Sequence, residues 1–284
     1  MKRIWGISIF FIVMVLGYFG YRSLTDRPPL PNKSSEAVSN ISSQPAINAD
    51  HNTIVRDGEI SIPQKYQLTQ ATVSGNFQTD QDLRNSFSGS DRLIMDDFYG
   101  KFDQNAIAFT KPEQYDWLVR NGYPMPQDVI AAQKMNIDEL GNLVDQGNIK
   151  ASYFYLMREV YGKNGENVLD KINKTGFDSQ WSQRLVNAEK LVRSSGSPFA
   201  GYIVAARAAK EGNNAEGVYA GYALASVMGD TRALNALAHA ENVNTQSLVS
   251  ALSVQMDMMR LANPNVFAGK PTEFPDRYSV GIRY

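Results

Sequence analysis

The side chains able to do chemistry are many in this chain, yet few stand together. Among its 284 residues are 29 Asp and Glu, 28 Lys and Arg, two His and no Cys. The lack of cysteine excludes disulfides, zinc–thiolate sites, iron–sulfur clusters and thiol nucleophiles. His51 and His239 are distant in sequence. No further ligands flank His239 at helical spacing in Ala236-Leu237-Ala238-His239-Ala240-Glu241, so no metal or cofactor site is expected. The chain has no Gly-x-Ser-x-Gly elbow, Ser-x-x-Lys pair, phosphate loop, dinucleotide fingerprint or calcium loop. Asp96 and Asp97 are adjacent, which on a helix turns them about 100° apart, onto a solvated face. Glu139 with Asp145 is the only other grouping of acids that invites attention. A glycan-cleaving enzyme needs a raised acid, and a single Glu such as Glu159 or Glu189 keeps that alternative open. The near-neutral charge balance excludes the basic footprint of nucleic-acid binding.

Arg and Tyr recur more regularly. Tyr153, Tyr155, Tyr161, Tyr202, Tyr219 and Tyr222 cluster near the starts of successive apolar-periodic segments. Arg158 and Arg207 both stand seven residues after an alanine, Ala151 and Ala200, and Arg232 precedes Ala233. Packing between helices is the ordinary role of such tyrosines, but Tyr and Arg also anchor protein interfaces. Tyr155, Arg158, Tyr202, Arg207, Tyr219 and Arg232 are therefore the candidates for contact with a protein or peptide partner.

These residues need helices to position them. Ser90 is placed to cap a helix over 91–102 with the apolar set Leu93, Ile94, Phe98 and Phe102. Thr110, Pro112 and Glu113 open a second that Asn121-Gly122 closes, and Met125-Pro126 starts a third. From Asn136 onward the pattern predicts helices over 137–146, 149–161, 167–174, 179–194, 198–210, 215–228, 231–242 and 245–262. Glycines punctuate their ends at Gly147, Gly162, Gly196, Gly212 and Gly229. Short links between long helices favour antiparallel neighbours. The tail, Pro264 to Tyr284, is expected either to drape over the last helices or to serve as a ligand segment.

Three stretches share one pattern: Gly147-Asn148-Ile149-Lys150-Ala151, Gly196-Ser197-Pro198-Phe199-Ala200 and Gly229-Asp230-Thr231-Arg232-Ala233. The fullest copy is Tyr222-Ala223-Leu224-Ala225-Ser226-Val227-Met228-Gly229-Asp230, followed by Ala233, Leu237 and Ala238. These stretches resemble Sel1-like repeats, relatives of the tetratricopeptide family. The spacing is irregular, Leu156 replaces a small residue, and Glu159, Ala208 and Glu241 stand where the family often has Tyr. The resemblance covers residues 136–245. It implies a mainly α fold, an α-solenoid of antiparallel helix pairs, with a scaffolding or regulatory role; the motifs and clusters above add no catalytic residue.

At the N-terminus, Lys2 and Arg3 precede an apolar run over residues 4–21 with no charge before Arg22. About 18 helical residues span roughly 27 Å, close to a bilayer core. The run ends in Gly17-Tyr18-Phe19-Gly20-Tyr21, whose aromatics suit a membrane interface better than a cleavage site. Residues 1–22 therefore read as an uncleaved transmembrane signal-anchor. Charge counting puts the rest of the chain on the far side, which in a bacterium is the periplasmic face of the inner membrane. A secreted effector or inhibitor with a cleaved leader is the alternative. Residues 23–52, rich in Pro, Ser and Asn, read as a flexible linker. Residues 53–135 form a mixed and then helical segment, starting with a hairpin pattern around Asp57-Gly58. Residues 136–262 hold the repeats, and 263–284 the tail.

Overall fold

Side chains that accept otherwise unpaired backbone N–H groups set the helix starts. The computed structural model describes residue 68 and residues 77–280, apart from 102–103, 161, 163–166, 213 and 241–242. Within it, the Thr79 hydroxyl accepts from Asp82 N–H at 3.1 Å and the Asp82 carboxylate from Thr79 N–H at 2.9 Å. This reciprocal box opens α1 (Asp80–Asn85). After α2 (Gly89–Lys101) and a 3-10 turn (Gln104–Ile107), proline leads both α3 (Pro112–Arg120) and α4 (Pro126–Lys134). Asn136 caps α5 (Ile137–Asp145), and α6 (Ile149–Val160) follows after three residues. Asn167 caps α7 (Val168–Thr175). Next come α8 (Gln180–Ser194), α9 (Phe199–Lys210), α10 (Ala215–Val227), the short α11 (Ala233–Leu237) and α12 (Thr245–Ala262). The architecture is mainly α, and no strand occurs among the described residues. Among those residues no helix is long and apolar enough to cross a membrane. The apolar run 4–21, the linker and the hairpin pattern lie outside the described residues.

Most predicted helices from residue 137 onward stand within a residue or two of their expected bounds. Three expectations fail. Ser90, expected to cap a helix over 91–102, lies inside α2, which begins one residue earlier at Gly89, and Phe102 of its expected apolar set lies outside the described residues. The helix expected over 231–242 is only Ala233–Leu237, and Ala233 alone is buried in it. With so little apolar surface covered, tertiary packing does not sustain further turns. In α2 the core-facing residues are Met95, Phe98 and Tyr99, while Leu93 is 73% exposed. Tyr99 turns inward because its hydroxyl donates to Pro124 O at 2.9 Å.

The Gly147 and Gly229 turns close alike, Asn148 N–H donating to Leu143 O and Asp230 N–H to Ala225 O, each at 3.0 Å, whereas at Gly196 the next N–H, of Ser197, donates to Ser195 Oγ at 3.0 Å. Gly147, Gly196 and Gly229 have φ of 81°, 74° and 108°, the left-handed region that glycine enters without a Cβ clash. Ala151, Ala200 and Ala233 are all buried. The tightest helix contact lies between α9 and α10. A Cβ built on Gly221 would come 2.5 Å from Ala205 N and 2.6 Å from Gly201 O, and one built on Gly201 would come 2.5 Å from Ala225 N. Only small residues let the two backbones lie this close.

One core runs through the described residues, from Leu68 and Leu83 through Trp117, Phe154 and Phe199 to Phe274. Helix α6 sits at its centre, packed by α4, α5, α7, α8 and α9. The tail lies across this body. Phe274 N–H donates to Gly229 O at 2.8 Å, Trp117 Nε1 donates to Thr272 O at 2.9 Å, and Gln114 Nε2 donates to Pro275 O at 2.9 Å. A Lys111–Asp276 ion pair adds a further tie. Of the two roles expected for the tail, the structure shows it seated on its own chain.

Candidate interaction site

Three helices bring charges together at one place, and a fourth adds an amide. Arg207 on α9 sits between Glu159 on α6 and Glu189 on α8. Its NH2 is 3.1 Å from Glu159 Oε2, and its NH1 donates to Glu189 Oε2. Arg193, one turn beyond Glu189, donates from Nε to Glu189 Oε1 at 2.7 Å and from NH1 to Gln255 Oε1 on α12 at 3.0 Å. The cluster joins α6, α8, α9 and α12, and its two cations match its two anions.

The environments of the two carboxylates differ. The Glu159 side chain is 10% exposed, and burial pushes its carboxyl above the ordinary range despite the attraction of Arg207. Burial alone would raise Glu189 too, but Arg207 and Arg193 together hold its carboxyl below the ordinary range. A small cleft with a cavity volume of about 10 Å³ is lined by Glu189, Arg193 and Arg207 of the cluster together with Leu156, Val192, Ile203 and Met259. This is far below the usual size of a small-molecule pocket, about 300–1,000 Å³. Among the described residues, no group of three or more His, Cys, Asp or Glu is placed to hold a metal ion.

The six Tyr and Arg candidates divide by burial. Arg207 keeps 30% of its side chain accessible. Tyr219 is half-buried, its hydroxyl donating to His239 O at 3.0 Å. The other four lie in the interior, committed to the protein's own groups. The Tyr155 hydroxyl reaches Trp181 O at 3.4 Å. Arg158 donates from NH2 to Ala132 O at 3.2 Å and Met135 O at 3.0 Å, satisfying carbonyls at the end of α4. Arg158 and Arg207, equivalent in sequence, thus both reach back to preceding helices.

Tyr202 and Arg232 join a second, buried network around Asp230. The Asp230 carboxylate accepts from the Tyr202 hydroxyl at 3.0 Å, from the Tyr123 hydroxyl, and from Arg232 Nε at 2.8 Å and NH2 at 2.7 Å. Arg232 also donates to Ala108 O at 2.7 Å and Ala106 O at 3.0 Å, with its guanidinium 4.1 Å from the Phe274 ring centroid. Burial alone would lower the Arg232 guanidinium, but Asp230 raises it above its ordinary value. The network fastens the 3-10 turn, the Gly229 turn and the tail to one another.

Sequence reasoning missed a third pair, Lys150 with Asp128, 2.7 Å apart and both nearly fully buried. Its signal was present: Asp128 is the third residue of α4, where its carboxylate also accepts from Met125 N–H at 2.9 Å. Asp96 and Asp97 are exposed, as expected. In comparisons with known proteins, no family model matches the chain, and neither does any curated protein or solved structure.

Proposed function

We propose that this chain is a non-catalytic helical repeat module, a Sel1-like α-solenoid of antiparallel helix pairs. In this reading it acts as a scaffold or adaptor that binds a protein or peptide partner. One observation carries the reading: the three Gly-x-x-x-Ala stretches share a left-handed glycine and a buried alanine at each helix start. Stacked helix pairs of this kind mostly serve as extended binding surfaces. The apolar run 4–21 tethers the module to a bacterial inner membrane as a single-pass anchor, with the repeats in the periplasm. Arg207 and Tyr219 are the contact residues that remain accessible. Photo-crosslinking from the intact, membrane-resident protein tests this, with the crosslinker at Tyr219 and, as a control, at the exposed Leu93. A discrete partner captured from Tyr219 and not from Leu93 supports the reading. Identical capture from both positions, or none from either, refutes this surface.

A second reading, a glycan-cleaving enzyme, has one observation in its favour: the Glu159 and Glu189 carboxyls are pushed in opposite directions. Against it, Arg207 pairs with both carboxylates across the space a reacting bond would need. Cell-wall hydrolysis that Glu159→Gln abolishes would restore it.

A further inference from the structure

We propose that the seat of the tail is a peptide-binding groove and that residues 272–277 are its built-in ligand, exchangeable for a partner's extended segment with a phenylalanine, a proline and a carboxylate in succession. Gln114 and Trp117 of α3, and Lys111 just before it, are spaced three residues apart along one face. The tail runs the opposite way and meets them in turn. Trp117 Nε1 donates to Thr272 O at 2.9 Å, Gln114 Nε2 donates to Pro275 O at 2.9 Å and Asp276 O at 3.1 Å, and Lys111 pairs with the Asp276 carboxylate. Gly229 O accepts from Phe274 N–H, and a Cβ on Gly229 would come 2.6 Å from Thr272 O, so only glycine admits the segment this close. Phe274 is the one buried side chain between residues 268 and 278. Its ring centroid is 5.3 Å from that of Trp117 and 4.1 Å from the Arg232 guanidinium. Main-chain bonds of this kind hold any extended segment, while the ring pocket and the lysine select among them.

The body holds each wall of the groove in place by itself. Gln114 Oε1 accepts from Thr110 N–H at 2.8 Å, Trp117 packs on Tyr123 with centroids 5.7 Å apart, and Arg232 is fixed by Asp230, Ala106 O and Ala108 O. The tail is held more lightly, by one anchor, a few main-chain bonds and an ion pair whose two side chains are 42% and 47% exposed. Residues 268–273, which lead into the seat, are all exposed. Asp276 takes a φ of 43°, a left-handed conformation that costs a residue with a Cβ and that release would relax. A tethered segment competes at the effective concentration its link confers, about millimolar for a short flexible one. The tail therefore keeps the groove closed to weak ligands and yields to a partner that binds it well.

The proposal rests on the reading of this chain as a peptide-binding module and names the chemistry of its partner. Its test uses the full-length, detergent-solubilised chain and a synthetic peptide of residues 270–280. Because the chain has no native cysteine, a dye on Glu273→Cys, at an exposed position, reports the tail alone. Added peptide should lower the dye's anisotropy saturably while circular dichroism stays unchanged. A chain with Phe274→Ala, whose own tail no longer competes, should bind the labelled peptide roughly 100-fold or more tightly than the native chain. Asp276→Lys, which sets like charges together at an exposed site and leaves the core untouched, should shift binding in the same direction. A peptide carrying Phe274→Ala should not bind. A peptide carrying Asp276→Lys should bind poorly and recover when the chain carries Lys111→Glu. Dye anisotropy that falls only as the helices melt, equal binding of the peptide to native and releasing chains, binding to none of them, or displacement by the Phe274→Ala peptide would each overturn the proposal. The titration does not involve Tyr219, so crosslinking there can succeed while the groove fails, and the reverse.

Discussion

Gly221→Ala is expected to loosen the α9–α10 pair, although alanine is the better helix former. The added Cβ would lie 2.5 Å from Ala205 N, whereas ordinary contact begins at 3.4 Å. Its neighbours are backbone atoms and a methyl group, none of which can swing aside as a long side chain does. The helices must therefore part by about 1 Å, since packed interiors do not compress. A gap of that size forfeits roughly a quarter to a half of each contact's attraction across the pair. Overpacking of this kind costs about 3 kcal/mol at the upper end of its usual range. Helix propensity returns about 1 kcal/mol. The net loss is about 2 kcal/mol, or roughly 4–8 °C in Tm for a domain of this size. Gly100 supplies the control, being exposed on α2 with nothing within 4 Å of a built Cβ. Gly100→Ala should raise Tm by about 2–4 °C. Thermal and urea unfolding followed by circular dichroism measure both. Should Gly221→Ala stabilise as much as Gly100→Ala, the close crossing is wrong. Gly201→Ala combined with Gly221→Ala should cost less than the sum of the two, because the first already separates the helices.

Arg232→Met should destabilise by about 3–5 kcal/mol, since it leaves Asp230 buried without its cation and strips two carbonyls of their donor. Asp230→Asn together with Arg232→Met should recover part but not all of that loss, because Ala106 O and Ala108 O stay unsatisfied; full recovery in urea titrations would count against the network. Phe274→Ala should cost about 3–4 kcal/mol and increase the solvent quenching of Trp117, whose ring centroid lies 5.3 Å from that of Phe274. Unchanged Trp117 emission would mean the tail is not seated there. The two cluster acids should respond to pH in opposite ways around their ordinary value of 4.5. Folding favours protonated Glu159, so its ionisation costs stability as pH rises above that value, and Glu159→Gln should gain on the native chain there. Folding favours ionised Glu189, so its contribution is present above that value and lost as pH falls below it. Glu189→Gln should therefore cost about 1–3 kcal/mol at pH 7, allowing for its partial exposure, and should converge with the native chain in acid. Parallel shifts of the two variants in Tm against pH would contradict these assignments.

The sequence by itself determined where most helices begin and end. The prolines of α3 and α4 and left-handed glycines such as Gly147 and Gly229 act within a few residues of their own position. Chain-local chemistry is therefore enough to place them. It failed at α11, whose length depends on how little of it is covered, and at α2, whose inner face is chosen by what Tyr99 meets. Sequence also singled out Glu159, Glu189 and Arg207 separately, without any sign that they meet. Only the tertiary structure decided that meeting, and it decided that Arg158, Tyr202 and Arg232 turn inward. Arg232 reaches the carbonyl of Ala106, 126 residues away. A charged side chain on a helix looks the same in sequence whether it faces water or a neighbour. Which it faces depends on the order in which helices stack, and that order is fixed by contacts far apart along the chain.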